Sequence, residues 1–274
     1  MPYLVTNDDA RLYYEERGTK GDGPTLIFIP GMTMSTAWFK AQLDGLSGDF
    51  HCVSYDPRAQ GASSKVEYGH RTARWARDLF DLLTALKIDQ SILVGWSLGG
   101  LILLAYLDLF GKDHVIGAVI VDAGPAETSR PGWDLGSGTE SENSAFQATI
   151  LDDMEAFGRD LIPMMVHRPM APGDQEKLTE LTLKMPPMAA HEIARDAMYQ
   201  DYRDLLPRIR IPVLIAVGGH GMLDEESCTY MRERIPDVQV TVFEESGHSP
   251  FLEEPEKFNA VVRDFSNSIH AKTS

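Results

Sequence analysis

Short apolar runs alternate with amphipathic stretches along most of this chain, and the alternation predicts strands and helices taking turns. The runs at Leu12–Glu16, Thr25–Ile29, His51–Tyr55, Ser91–Val94, Ile116–Val121, Pro212–Val217 and Gln239–Phe243 read as strands. Those at Ser91, Ile116 and Pro212 are the uninterrupted kind expected where both faces of a parallel sheet are covered. Between them, residues 72–86 place Ala73, Ala76, Phe80 and Leu83 on one helical stripe, with Arg74, Arg77, Asp78 and Asp81 elsewhere. A last helix begins near Pro255 and turns Phe258, Val261, Val262 and Phe265 inward. Strand and helix in alternation predict a mostly parallel central sheet with helices on both faces.

The alternation stops between about Ala126 and Leu206. That segment opens with a Gly/Ser-rich stretch, Gly132 to Ser144, and continues with helical patterns near 145–157, 175–184 and 189–204. It carries seven of the twelve methionines, Met154, Met164, Met165, Met170, Met185, Met188 and Met198. The expected organisation is a core formed by residues 1–125 and 207–274, with residues 126–206 inserted as a helical cap. Methionine is usually core filler, yet over a site its soft, unbranched side chain suits an adaptable apolar pocket.

Residues 95–100 read Gly-Trp-Ser-Leu-Gly-Gly and lie between an apolar strand and the helical run Leu101–Phe110. A Gly-x-Ser-x-Gly sequence in a strand–turn–helix setting holds its serine on a sharp turn, hydroxyl exposed, above a helix N-terminus. Ser97 is therefore the candidate nucleophile. Its base candidate is His248, in the loop Gly247-His248-Ser249-Pro250 after the last strand, on the sheet edge where Ser97 also emerges. The other seven histidines lack that placement; His70, His167, His191 and His270 read as surface. Oxyanion donors are expected from the backbone N–H of Leu98 and from Met32, in the Pro30-Gly31-Met32 loop after the second long strand.

With these residues in place the chain resembles α/β-hydrolase-fold proteins over nearly its whole length. The resemblance rests on the Pro30–Met32 loop, the turn Asp56-Pro57-Arg58-Ala59-Gln60-Gly61-Ala62-Ser63, the Gly95–Gly99 elbow and the Gly247-His248 loop. It departs in two supporting places. Pro30 stands where the family often has histidine, and the common Asp-x-x-Gly-x-Gly-x-Ser turn carries Ala59 in place of its first glycine. The triad acid is the larger departure. The family pattern places it after the strand at Pro212–Val217, where this chain has Gly218-Gly219-His220-Gly221, with glycine at the acid position. Asp122, at the end of the strand before, is the favoured substitute, a position used by some lactonases and cofactor-free dioxygenases of this fold; Asp224 is the alternative.

Composition narrows the partners. The 274 residues suffice for a sizeable core, and a formal net charge of −16 disfavours nucleic acid and anionic membrane surfaces. Cys52 and Cys228 have no metal-type spacing, and the glycines at 95–100 do not match a dinucleotide fingerprint, so neither metal nor cofactor is expected. No basic-then-apolar leader opens the chain, and no stretch approaches the roughly 18 apolar residues that span a bilayer, so a soluble cytoplasmic protein is the expectation. No oligomeric state follows from the sequence. The expected function is a serine hydrolase cleaving a carboxylic ester or lactone, its substrate small and largely apolar. Gly31, Trp38, Phe39, Trp96, Met154 and Met188 are the expected pocket residues. The alternatives are a cofactor-free dioxygenase and a perhydrolase or haloperoxidase-like enzyme on the same fold.

Overall fold

All seven apolar runs become strands, joined by an eighth at the N-terminus, in a computed structural model that describes residues 2–273. In chain order β1 (Tyr3–Val5), β2 (Arg11–Arg17), β3 (Thr25–Ile29), β4 (Cys52–Tyr55), β5 (Ser91–Trp96) and β6 (Val115–Val121) come first. After a two-stranded ribbon, β7 (Thr128–Ser129) and β8 (Gly138–Thr139), follow β9 (Val213–Gly218) and β10 (Val238–Phe243). The main sheet has the order β1-β2-β4-β3-β5-β6-β9-β10. Only the β1–β2 and β2–β4 pairs are antiparallel. Strands β3, β4, β5 and β9 are buried along their whole length, because helices cover both faces. β1, three residues long, is too short for a period-2 signal to stand out.

The core helices are α1 (Lys40–Leu46), α2 (Thr72–Ala85) and α3 (Leu98–Phe110) before the 126–206 segment. After it come α8 (Glu225–Arg234), α9 (Pro250–Glu253) and α10 (Pro255–Thr273). α3 is apolar all round and buried from Leu98 to Leu107, which is what a helix leaving the sheet centre requires. α10 starts at Pro255 as expected and buries Phe258, Val262 and Phe265, with Val261 half-buried. The 126–206 segment adds no strand to the main sheet. It contributes the ribbon and four helices, α4 (Glu140–Asp152), α5 (Met154–Met164), α6 (Pro172–Thr182) and α7 (Pro187–Tyr199). The expected single helix near 145–157 is two, because Asp153 leaves helical geometry and caps α5 through Ala156 N, at 2.9 Å. The start of α4 was legible in Thr139-x-x-Glu142, which closes a capping box.

The buried stripe of α2 differs from the expected one. Ala73 is exposed, and Thr72, Trp75, Ala76, Leu79, Leu82 and Leu83 face inward. Asp78, expected on the polar side, is buried as well. The reason is Arg58, whose side chain is fully enclosed and donates to both Asp78 oxygens at 2.6 Å. Asp8 accepts from the other edge of the guanidinium at 3.0 and 3.1 Å, and Arg74 reaches Asp78 at 2.7 Å.

Burial alone would raise the Asp8 carboxyl, but the hydrogen bonds of Arg58 and Thr6 and the charges of Arg58 and Arg74 outweigh it and hold it at about 2. A carboxyl lowered by folding stabilises the fold above its ordinary pKa of 3.8, and that stabilisation is lost as pH falls toward 2. Arg58→Leu strands Asp78 with one remaining partner and is expected to cost ~3–5 kcal/mol in urea unfolding at neutral pH. Part of that cost should disappear in titrations run below pH 3; a cost that stays constant would remove the ion network from the account.

Candidate active site

β5 ends at Trp96 and α3 starts at Leu98, so one residue makes the whole turn. Ser97 has φ 54° and ψ −121°, a strained conformation for a residue with a Cβ. The turn closes only between glycines. A Cβ on Gly95 would lie 2.4 Å from the Gly99 carbonyl oxygen, and one on Gly99 would lie 2.2 Å from that of Ile29. The Ser97 N–H donates to the Val121 carbonyl at 3.0 Å, which ties the elbow to the end of β6.

Asp122 is the next residue after β6, 2 % exposed and itself at positive φ, 45°. Its Oδ2 pairs with His248 Nδ1 and accepts from the Met222 N–H at 2.8 Å, while Oδ1 accepts from the Leu223 N–H at 3.4 Å. The glycine at the family's acid position is explained by the same carboxylate. A Cβ on Gly221 would sit 2.3 Å from Asp122 Oδ1, so the space of an acid at 221 is already filled from the neighbouring strand. Asp224 is exposed and caps a helix instead: as the residue before α8, it accepts from the Ser227 N–H at 2.7 Å. His248 is 4 % exposed, and its carbonyl accepts from Trp96 Nε1 at 2.8 Å. Among the other histidines, His70 is buried rather than at the surface, bonded to the Val66 carbonyl. His167 and His220 stack face to face at 3.6 Å.

Ser97 and His248 open into a cavity of about 350 Å³. Met32 and Leu98 line the same space, and neither N–H donates to another group among the described residues. Gly31 and Trp96 also line it. Trp38, Phe39, Met154 and Met188 do not. Trp38 lies behind Trp96, ring centroids 4.9 Å apart, and Phe39 packs on Phe251 at 4.6 Å, so both serve as backing. Met154 packs against the core, and Met188 stands 57 % exposed on the outer side of α7. The apolar lining comes instead from Met34, Phe146, Leu161, Met164, Met165 and Met198, with Met222 at the rim. The methionine count pointed to the right segment, but which face of each helix meets the cavity depends on packing.

Residues 26–261 match the sequence profile described as the alpha/beta hydrolase family. The chain belongs to that family. The solved esterase of Exiguobacterium antarcticum superposes with a TM-score of 0.90, at 25% identity, over 97% of this chain and 98% of that one. The bromoperoxidase of Bacillus anthracis superposes at 0.89 and 22% identity, covering 96% and 99%. A pimeloyl-[acyl-carrier protein] methyl ester esterase of Vibrio parahaemolyticus is 26% identical over 89% of this chain and 95% of its own length.

Among the residues of this hydrolase that sequence reasoning passed over, Gln60 has the clearest place. Its Oε1 accepts from the Thr33 N–H at 2.5 Å, and its Nε2 donates to the carbonyls of Gly31 at 3.1 Å and Met34 at 2.7 Å. Asp56 holds the next residues, accepting from the N–H of Thr36 and of Ala62, both at 2.7 Å. The turn after β4 thus clamps the loop that presents Met32. Ala59, where the common turn has glycine, takes φ 66°, so this departure is carried as backbone strain. The sequence signal was Gln60 standing between Ala59 and Gly61 in that turn.

Two variants probe this scaffold. Gly221→Ala drives a methyl group into Asp122 and should shift His248, lowering kcat on a p-nitrophenyl ester roughly 10²-fold and lowering the unfolding midpoint as well. Gln60→Leu frees the Met32 loop and should lower kcat by about tenfold to a hundredfold, with KM nearly constant, if that loop holds an oxyanion. A KM effect alone would place Gln60 in substrate binding instead.

Proposed function

We propose that this protein is a carboxylic ester hydrolase acting through an acyl-enzyme, with residues 126–206 as a cap over the site. The observation that carries the reading is a buried Asp122–His248 pair facing the same cavity as a strained serine and two unused N–H groups. Ser97 Oγ attacks the ester carbonyl and gives its proton to His248 Nε2. The negative oxygen of the tetrahedral intermediate is held by the N–H groups of Met32 and Leu98, the latter at the N-terminus of α3. His248 then protonates the departing alcohol. Water enters, loses a proton to the same nitrogen and attacks the acyl carbonyl, and collapse returns the proton to Ser97. Asp122 keeps the Nδ1 proton in place, so that Nε2 is the basic nitrogen, and stabilises the imidazolium.

The esterase names of the Exiguobacterium and Vibrio proteins support this chemistry, and a largely apolar lining favours a compact apolar ester or lactone. Perhydrolysis uses the same groups with hydrogen peroxide in the place of water, and the bromoperoxidase name keeps that reading as the second. A cofactor-free dioxygenase would need only the histidine base, so loss of Ser97 separates it from both.

Ser97→Ala should lower kcat on the order of 10⁶-fold and abolish labelling by a fluorophosphonate. Oxygen consumption with an acidic aromatic substrate that survives Ser97→Ala would instead mark a dioxygenase. Asp122→Asn should cost roughly 10⁴ in kcat. Asp224→Asn, which weakens a helix cap, should cost less than about tenfold. The reverse ranking on one ester would return the acid to the loop after β9.

A further inference from the structure

One charged group in the apolar cavity has no part in the ester chemistry. Glu127, five residues past Asp122, lines the cavity that holds Ser97 and His248 and also the smaller one that continues from it past Asp122 and Leu223. Its backbone runs into β7, and its side chain is fixed from β8's approach: Ser137 Oγ donates to Glu127 Oε2 at 2.9 Å and to the Glu127 carbonyl at 3.1 Å. The other carboxyl oxygen, Oε1, accepts no hydrogen bond among the described residues. Neither cavity has a lysine or arginine in its lining. Burial raises the Glu127 carboxyl above the ordinary glutamate range; Ser137 and His248 act the other way, and Asp122 adds to the rise.

A half-buried carboxylate in a largely apolar cavity, with no lysine or arginine beside it, is a ready partner for a cation that a ligand brings. Here the one positive group that acts on Glu127 among the described residues is His248, which is already paired with Asp122. Glu142, also in the lining, is taken up by the Thr139 capping box, so its charge is directed at a helix end. The formal net charge of −16 adds a field that draws cations in and turns anions away. The methionines of the same cavity and the rings of Trp96 and Phe146 offer polarisable surface to an alkylammonium.

From this we infer that Glu127 is a specificity residue and that the substrates are esters or lactones with an apolar body carrying a protonated amine, which pairs with Glu127 Oε1 while the ester carbonyl lies at Ser97. The inference rests on the hydrolase reading for the ester but not for the amine.

The test uses matched pairs at neutral pH: the p-nitrophenyl ester of dimethylaminohexanoic acid against the neutral ester with CH replacing nitrogen, and a second pair with the amine on the alcohol side. The corresponding N-methylamides, measured by calorimetry, report binding without turnover. In one of the two pairs the wild-type protein should favour the amine by about tenfold to a hundredfold in kcat/KM and in amide affinity. Glu127→Gln, which can still accept from Ser137, should bring that ratio close to one. Ser137→Ala keeps the carboxylate and should keep most of the preference. Equal loss in both variants would mean that Glu127 only holds the β7–β8 ribbon, and the inference would fall. Ester turnover without preference for the amine in either pair also overturns it and leaves the hydrolase reading standing. Selective amide binding without ester turnover does the opposite.

Discussion

A carboxylate at the end of a buried strand has to have its lone pairs met, and the structure around Asp122 is arranged to meet them. His248 takes one oxygen, and the N–H groups of Met222 and Leu223 complete the shell. This requirement explains features that look unrelated in the sequence. Gly221 is glycine because the carboxylate lies where its Cβ would be. The loop after β9 bends so that two successive N–H groups point back toward β6. The histidine loop is drawn in from the strand beyond it, β10. Loss of any one of these contacts leaves a charge unpaired inside the protein, which is far more expensive than the contact is worth when formed.

Around that centre, precision comes from two clamps of different kinds. Trp96 precedes the nucleophile, donates its indole N–H to the His248 carbonyl, and packs against Trp38 and Phe251. One rigid ring thereby links the serine turn to the histidine loop. On the other side Gln60 and Asp56 take the N–H groups of Thr33 and Thr36 and the carbonyls of Gly31 and Met34. Met32 N–H is left over from that accounting, and an unused backbone donor facing a cavity is a place for a developing negative charge.

The 126–206 segment is held by a different logic. Its apolar residues join the buried core, among them Ile150, Ile162 and Ile193, and polar contacts fix its edges. Glu253 accepts from the N–H groups of His167 and Arg168 and from that of Gly247, joining the turn after α5 to the histidine loop. Thr72 at the start of α2 bonds Asp196 of α7. Its residues line one side of the cavity, mostly with apolar side chains, and Glu127 is among them.

The sequence determined seven strands of the main sheet, the elbow and the fold, because each is written in local periodicity or in a short motif whose geometry admits few residues. It also determined that Asp122 was a rational partner for His248, since a strand-end acid in a parallel sheet needs a reason to be buried. Only the tertiary structure decided that Gly221 yields its space to Asp122, that Asp224 is spent on a helix cap, and that Trp38 backs the site while Met164, Met165 and Met198 line it. Ala73 and Asp78 exchanged their expected faces for the same kind of reason: Arg58, twenty residues before Asp78, needed a buried partner. Those outcomes depend on which side chains meet across long sequence separations, and no period or motif along one segment carries that information. Helix faces, spare hydrogen-bonding capacity and charge pairing are settled when the layers pack.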